Sequence, residues 1–171
     1  MGLTSQSTGI HLINSDFHIE ELETDKTVIA LGGNPNTGKS TLFNSITGLN
    51  QHTGNWPGKT VENAIGSFRH RNKNFTLVDL PGTYSILANS QEEEIARDFI
   101  AFSNAELTVI VVDATCLERN LNLTLQTLEI TENVIVCLNL VDEAKRKEIS
   151  IDVPELEELL GVPIVETVAR D

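Results

Sequence analysis

The segment Gly33-Asn34-Pro35-Asn36-Thr37-Gly38-Lys39-Ser40 constrains this chain more than any other feature. It satisfies G-x-x-x-x-G-K-[ST] in full, with the apolar run Thr27-Val28-Ile29-Ala30-Leu31 before it and a helical pattern after it. Glycines let such a loop wrap its N–H groups around phosphate, and the following helix adds a partial positive charge at its N-terminus. Lys39 supplies a cation for the β- and γ-phosphates, and the Ser40 hydroxyl is placed to ligate Mg²⁺. A chance glycine turn would lack the strand and helix on either side.

Two later motifs complete a set. Asp79-Leu80-Pro81-Gly82 follows a strand pattern about forty residues on. Its carboxylate can hold a Mg²⁺-bound water, and Gly82 can offer an N–H to the γ-phosphate. Alone, a D-x-x-G is a turn as readily as a site. Asn139-Leu140-Val141-Asp142 ends another core strand. An acidic residue here can accept from guanine N1–H and the 2-amino group, which adenine lacks. In this order, the three motifs resemble the translation-factor-related class of small GTPases.

The rest of the chain alternates strand and helix signals. Helix markers include Leu42, Phe43 and Ile46 before Gly48, and a capping-box spacing from Ser90 to Glu93. Leu117, Leu121, Leu125 and Leu128 form an apolar face, and Asp152 and Pro154 open a helix that Gly161 closes. Residues 61–69 and 74–79 read as a hairpin around the 70–73 turn, 107–112 and 133–140 as core strands, and 163–168 as the last strand. Residues 49–60 read as a loop. The expected architecture is a Ras-like P-loop NTPase fold of three α/β layers, with a mostly parallel six-stranded sheet carrying one antiparallel strand. Residues 1–25 read as a leader or tag-like segment and 26–171 as the nucleotide-binding domain. No covering helix pattern follows the last strand, so the domain is expected to be a fragment of a longer protein.

Composition narrows the partners. A net charge of -13 opposes phosphate backbones and anionic membrane surfaces, which argues against nucleic acid as a ligand. No apolar run approaches the roughly 18–20 residues needed to span a bilayer. Cys116 and Cys137 lack metal-ligand spacing and read as reduced thiols, while His11, His18, His52 and His70 are scattered.

More narrowly, Gly33-Asn34-Pro35-Asn36, the stretch Gly54-Asn55-Trp56-Pro57-Gly58-Lys59-Thr60-Val61-Glu62 and Asp79-Leu80-Pro81-Gly82-Thr83-Tyr84 resemble the cytosolic G domains of the bacterial ferrous-iron transporter family FeoB. The resemblance runs from about residue 27 to residue 170. It implies GTP and GDP as ligands, with Mg²⁺ held by Ser40, Thr60 and Asp79, and an activating K⁺ held by Asn36 with backbone carbonyls near Gly54 and Trp56. Asn36, Lys39 and Thr60 are the implied catalytic set. The implied nucleotide contacts extend through Thr41, from Gly58 to Glu62 (Lys59 and Val61 included), from Asp79 to Gly82, from Asn139 to Asp142, and to Thr167, Val168 and Ala169. Thr83 stands where many GTPases carry a water-positioning glutamine, which implies slow turnover. Leu140 replaces the lysine that usually packs along the base, which implies weaker affinity and faster exchange. Glu62 reads as an exposed strand-edge residue, and Lys59 has no assigned role.

The resemblance also implies helical regulatory and membrane domains as partners in a full-length transporter, at the cytoplasmic face of the bacterial inner membrane, with oligomers formed through that larger protein. Two other readings stay open. One is a ribosome-assembly or tRNA-modification GTPase, against which the charge and the Trp56 loop both count. The other is a nucleotide-binding switch with negligible hydrolysis.

Overall fold

The computed structural model describes residues 26–169 except positions 49, 88 and 104. The leader expected over residues 1–25, with His11 and His18, lies outside the described residues. The strands are β1 (Lys26–Gly33), β2 (Gln51–Asn55), β3 (Glu62–His70), β4 (Lys73–Asp79), β5 (Leu107–Asp113), β6 (Val134–Asn139) and β7 (Ile164–Glu166). The helices are α1 (Lys39–Thr47), α2 (Gln91–Phe102), α3 (Leu117–Leu128), α4 (Val141–Arg146) and α5 (Val153–Leu160).

The strands form one sheet in the order β2-β3-β4-β1-β5-β6-β7. β1 pairs in parallel with both β4 and β5, so successive strands lie first on one side of β1 and then on the other. That reversal opens a crevice at the carboxyl end of β1, where ligands of open α/β sheets bind. β3 is antiparallel to both β2 and β4, and it alone runs against the other strands. The single antiparallel strand was therefore expected correctly, but the described sheet has seven strands rather than six.

The seventh is β2, inside the stretch expected to be a loop. Four of its five residues are exposed, so no apolar alternation marks it; backbone pairing to β3 alone makes it a strand. The turn from β3 to β4 holds Arg71 and Asn72 at φ 44° and 68°, as a two-residue hairpin turn requires.

Burial on both sheet faces explains why the central strands read as continuous apolar runs. Ile29 and Leu31 of β1 join Leu77, Val111, Cys137 and Phe43 of α1 on one face. Ala30, between them in sequence, points the other way, toward Val78, Ile95, Phe99 and Trp56. Beyond β1 on that second face, Ile110, Val112, Val136 and Leu138 pack against residues of α3, α4 and α5.

Two helix faces differ from expectation. In α1 Ile46 is exposed, and Thr47 is buried in its place with its hydroxyl donating to the Phe43 carbonyl at 2.8 Å. Gly66 of β3 makes room for Thr47, whose Cγ2 lies 2.3 Å from where a Cβ on residue 66 would stand. In α3 the fully buried side is Asn120, Leu123, Thr124 and Thr127; of the expected leucine stripe, Leu117 and Leu128 pack partly buried against the core and Leu125 is exposed. Asn120 donates to the Cys116 carbonyl at 2.9 Å and Thr127 to the Leu123 carbonyl at 2.9 Å. Local hydrogen bonds let these polar groups enter the interior, which apolar periodicity alone does not register. The caps at Ser90, Asp152 and Gly161 form as expected. α4 had no sequence signal of its own.

Candidate nucleotide site

The loop from Gly33 to Gly38 turns from β1 into α1 with Asn36 and Gly38 at φ 66° and 83°. Gly38 is obligatory on two grounds. Its backbone is left-handed, and a Cβ there would stand 2.3 Å from Asn139 Nδ2. Inside the loop, the Thr37 hydroxyl donates to the Asn34 carbonyl at 3.0 Å. A cleft of about 440 Å³ lies over it, lined by Asn34, Pro35, Asn36, Gly38, Lys39, Ser40, Thr41 and Gly82.

A second cleft of about 650 Å³ shares Lys39 and Gly82 with the first. Its other walls include Gly54, Glu62, Asp79, Leu80 and Pro81. Lys39 is buried and paired through Nζ with Asp79 Oδ1. Burial pushes the Asp79 carboxyl above its ordinary value of 3.8, and the Lys39 charge and hydrogen bond partly offset that.

Asn139 joins the 33–40 loop to the 167–169 loop. It is fully buried, its Nδ2 donates to the Thr37 carbonyl at 2.9 Å, and its Oδ1 accepts from Thr167 Oγ1 at 3.1 Å and Ala169 N–H at 2.9 Å. Leu140, at φ 62°, turns the chain into α4, whose first turn carries Asp142. Asp142 accepts from Arg146 at 3.3 Å, one helical turn away. Val168 is exposed, and Thr167 receives a hydrogen bond from Val141 N–H at 3.5 Å through its carbonyl.

A hydroxyl and a carboxylate on either side of Lys39 are hard oxygen donors, the kind a Mg²⁺ ion shares with phosphate oxygens. No group of three or more His, Cys, Asp or Glu able to hold a metal occurs among the described residues.

With these motifs set at the carboxyl ends of β1, β4 and β6, the family model described as ferrous iron transport protein B matches residues 27–171. The chain belongs to that family. It is 49% identical over 148 residues to the Fe(2+) transporter FeoB of Salmonella typhimurium, and 47% identical to that of Escherichia coli K12. Each match covers 84% of this chain and only 19% of the relative, so the chain spans about a fifth of those transporters.

Solved FeoB structures agree with the fold. The G domain of the T. maritima FeoB iron transporter is 42% identical with a TM-score of 0.79, covering 84% of this chain and 88% of that one. The FeoB G-domain from Methanococcus jannaschii is 47% identical with a TM-score of 0.75, covering 85% and 88%. A mutant S. thermophilus NFeoB bound to GDP is 47% identical with a TM-score of 0.79, covering 84% and 56%.

Not every residue implied by the FeoB resemblance reaches the clefts. Gly58, Lys59, Thr60 and Val61 line neither. Trp56 is 4% exposed and packs edge-on against Phe99, with ring centroids 5.7 Å apart. Its carbonyl accepts from Lys59 N–H at 2.9 Å, while Gly54 is paired with Asn63 between β2 and β3. Asn36 lines the smaller cleft and Gly54 the larger, while Trp56 lines neither. Thr83 is buried, donates its N–H to the Gly33 carbonyl at 3.3 Å and also lines neither cleft.

Several wall residues carried no sequence signal. Thr53, Asn63 and Ala64 line the larger cleft, beside Asn55 of the FeoB-like stretch, because β2 pairs with β3. The Lys59–Glu94 ion pair, 2.6 Å long, joins segments 35 residues apart. Lys59 holds the Glu94 carboxyl below its ordinary range through that hydrogen bond and its charge.

Proposed function

We propose that this chain is the GTP-binding, slowly GTP-hydrolysing regulatory domain of a ferrous-iron uptake transporter, with K⁺ as an activating ion. The observation that carries the reading is Asn139. One buried side chain ties the 33–40 loop, through Thr37, to the 167–169 loop; Asp142, in the first turn of α4, is the residue that would select the base. GDP binding by the related S. thermophilus NFeoB supports guanine as that base.

Lys39 and the N–H groups of the 33–40 loop bind and orient the phosphates, and Gly82 lines the same cleft. Ser40 and Asp79, joined by Thr60 after a loop movement, are the residues that would hold Mg²⁺. When bound, that ion neutralises phosphate charge. Thr83 sits where a water-positioning glutamine would help, and its buried side chain supports slow turnover. Its partners in this reading are helical and membrane domains of a larger transporter, with this domain at the cytoplasmic face; the chain's span of about a fifth of its relatives supports a larger whole. No helix among the described residues is long and apolar enough to cross a membrane.

Calorimetry with GTP and with ATP, each in Na⁺ and in K⁺, tests the reading. Tight GTP and negligible ATP binding is expected; equal affinities would remove the guanine assignment. The K⁺ assignment has its own test. Asn36→Ala should lose the acceleration of single-turnover hydrolysis that K⁺ gives over Na⁺. An undiminished K⁺ response in that variant would remove Asn36 from the ion's coordination.

A further inference from the structure

The turn between β2 and β3 is fastened to α2 at two points. Trp56 is buried against Phe99, and Lys59 Nζ donates to Glu94 Oε2 at 2.6 Å. The turn is closed on itself by Trp56 N–H to the Val61 carbonyl at 2.8 Å and Lys59 N–H to the Trp56 carbonyl at 2.9 Å. Gly58, at φ 66°, supplies its left-handed corner. Thr60 rides on this turn, next to Lys59, exposed and outside both clefts.

The two fastenings differ in kind. The aromatic contact is buried, and undoing it exposes a large apolar side chain. The Lys59 and Glu94 side chains are 31% and 43% exposed, so water competes for both charges and the pair can be made and broken readily. A weak, solvent-accessible tie beside a residue that must travel is suited to setting a conformational balance.

We propose that Lys59 is a positioning residue that acts through Thr60. Paired with Glu94, it holds the 56–61 turn on α2 and keeps the Thr60 hydroxyl away from Ser40 and Asp79. Triphosphate binding then has to break the pair, whereas diphosphate binding does not. The inference rests on the GTP-binding reading above, and assigns to Lys59 the preference between the two nucleotides.

The test uses Lys59→Gln, Glu94→Gln, their combination, and the charge-swapped Lys59→Glu/Glu94→Lys chain. Dissociation constants are measured for GDP and a non-hydrolysable GTP analogue with Mg²⁺ at low salt. Acrylamide quenching of Trp56, the only tryptophan in the sequence, is measured without nucleotide. Each single variant should raise analogue affinity relative to GDP by about two- to five-fold and increase Trp56 quenching. The combination should do no more than either single change, and the swap should restore both readouts. High salt should bring the wild-type chain toward the single variants. An unchanged affinity ratio, an equal shift for both nucleotides, or a shift without altered quenching would overturn the inference. A wild-type chain that binds no guanine nucleotide would instead overturn the functional reading itself.

Discussion

Lys39→Ala is expected to weaken GTP and GDP binding by about 100-fold, since a hydrogen bond to a charged group contributes about 1.5–3 kcal/mol and each 1.4 kcal/mol is tenfold. Lys39 is the cation at the junction of the two clefts, and it is already buried beside Asp79. On the proposed function its removal takes away a phosphate ligand, and it leaves the buried Asp79 carboxylate without this partner. The second effect gives the variant a pH signature. Asp79 is raised above 3.8 because burial outweighs Lys39, so its contribution to stability is fullest below 3.8 and is lost as pH rises through the higher folded value. Without Lys39 that folded value climbs further. Thermal denaturation from about pH 4 to pH 7 should show the variant losing stability relative to the wild type as pH rises. A parallel pair of pH curves with unchanged nucleotide affinity would contradict both roles.

The second large effect is one of specificity. A carboxylate at 142 can accept from guanine N1–H and the 2-amino group together; an asparagine amide offers one acceptor and sets its own N–H against the 2-amino group. Asp142→Asn should lower GTP affinity by about 100-fold and favour xanthosine triphosphate, whose 2-oxo group can accept from the new amide. Stability should change by less than about 0.5 kcal/mol, because Arg146, the partner of Asp142 on α4, is 63% exposed. Competition binding with the two triphosphates checks this. Retained GTP preference would place base selection elsewhere in the loop at 167–169.

Much of this site could be read before any coordinates. The 33–40, 79–82 and 139–142 segments each pair a strand end with a chemically specific residue, and strand ends are where apolar runs stop. What resisted reading was structure held by backbone pairing or by distant side chains. β2 is an edge strand of Gln, His, Thr, Gly and Asn, and nothing in its side chains announces pairing. Of the α3 leucines read as a core face, Leu117 and Leu128 pack on the core only partly buried, while Asn120 and Thr127, their polar atoms bonded locally, lie deeper. Lys59 was an unexplained cation until α2 brought Glu94 to it across 35 positions. The FeoB-like stretch around Trp56 was legible as a family mark but not as a location. Its tryptophan lies in the core against Phe99 rather than beside the phosphates.

The bonding of Asn139 bears on how the ligand leaves. Its three hydrogen bonds span the loop that would hold phosphate and the loop that would hold the base. Neither loop can swing outward alone without stranding a buried amide. Release should therefore proceed as a single concerted opening, with base and phosphate freed on one time scale. Drift at this position has no local remedy, since a replacement would have to satisfy a carbonyl, a hydroxyl and an N–H on two separate loops at once.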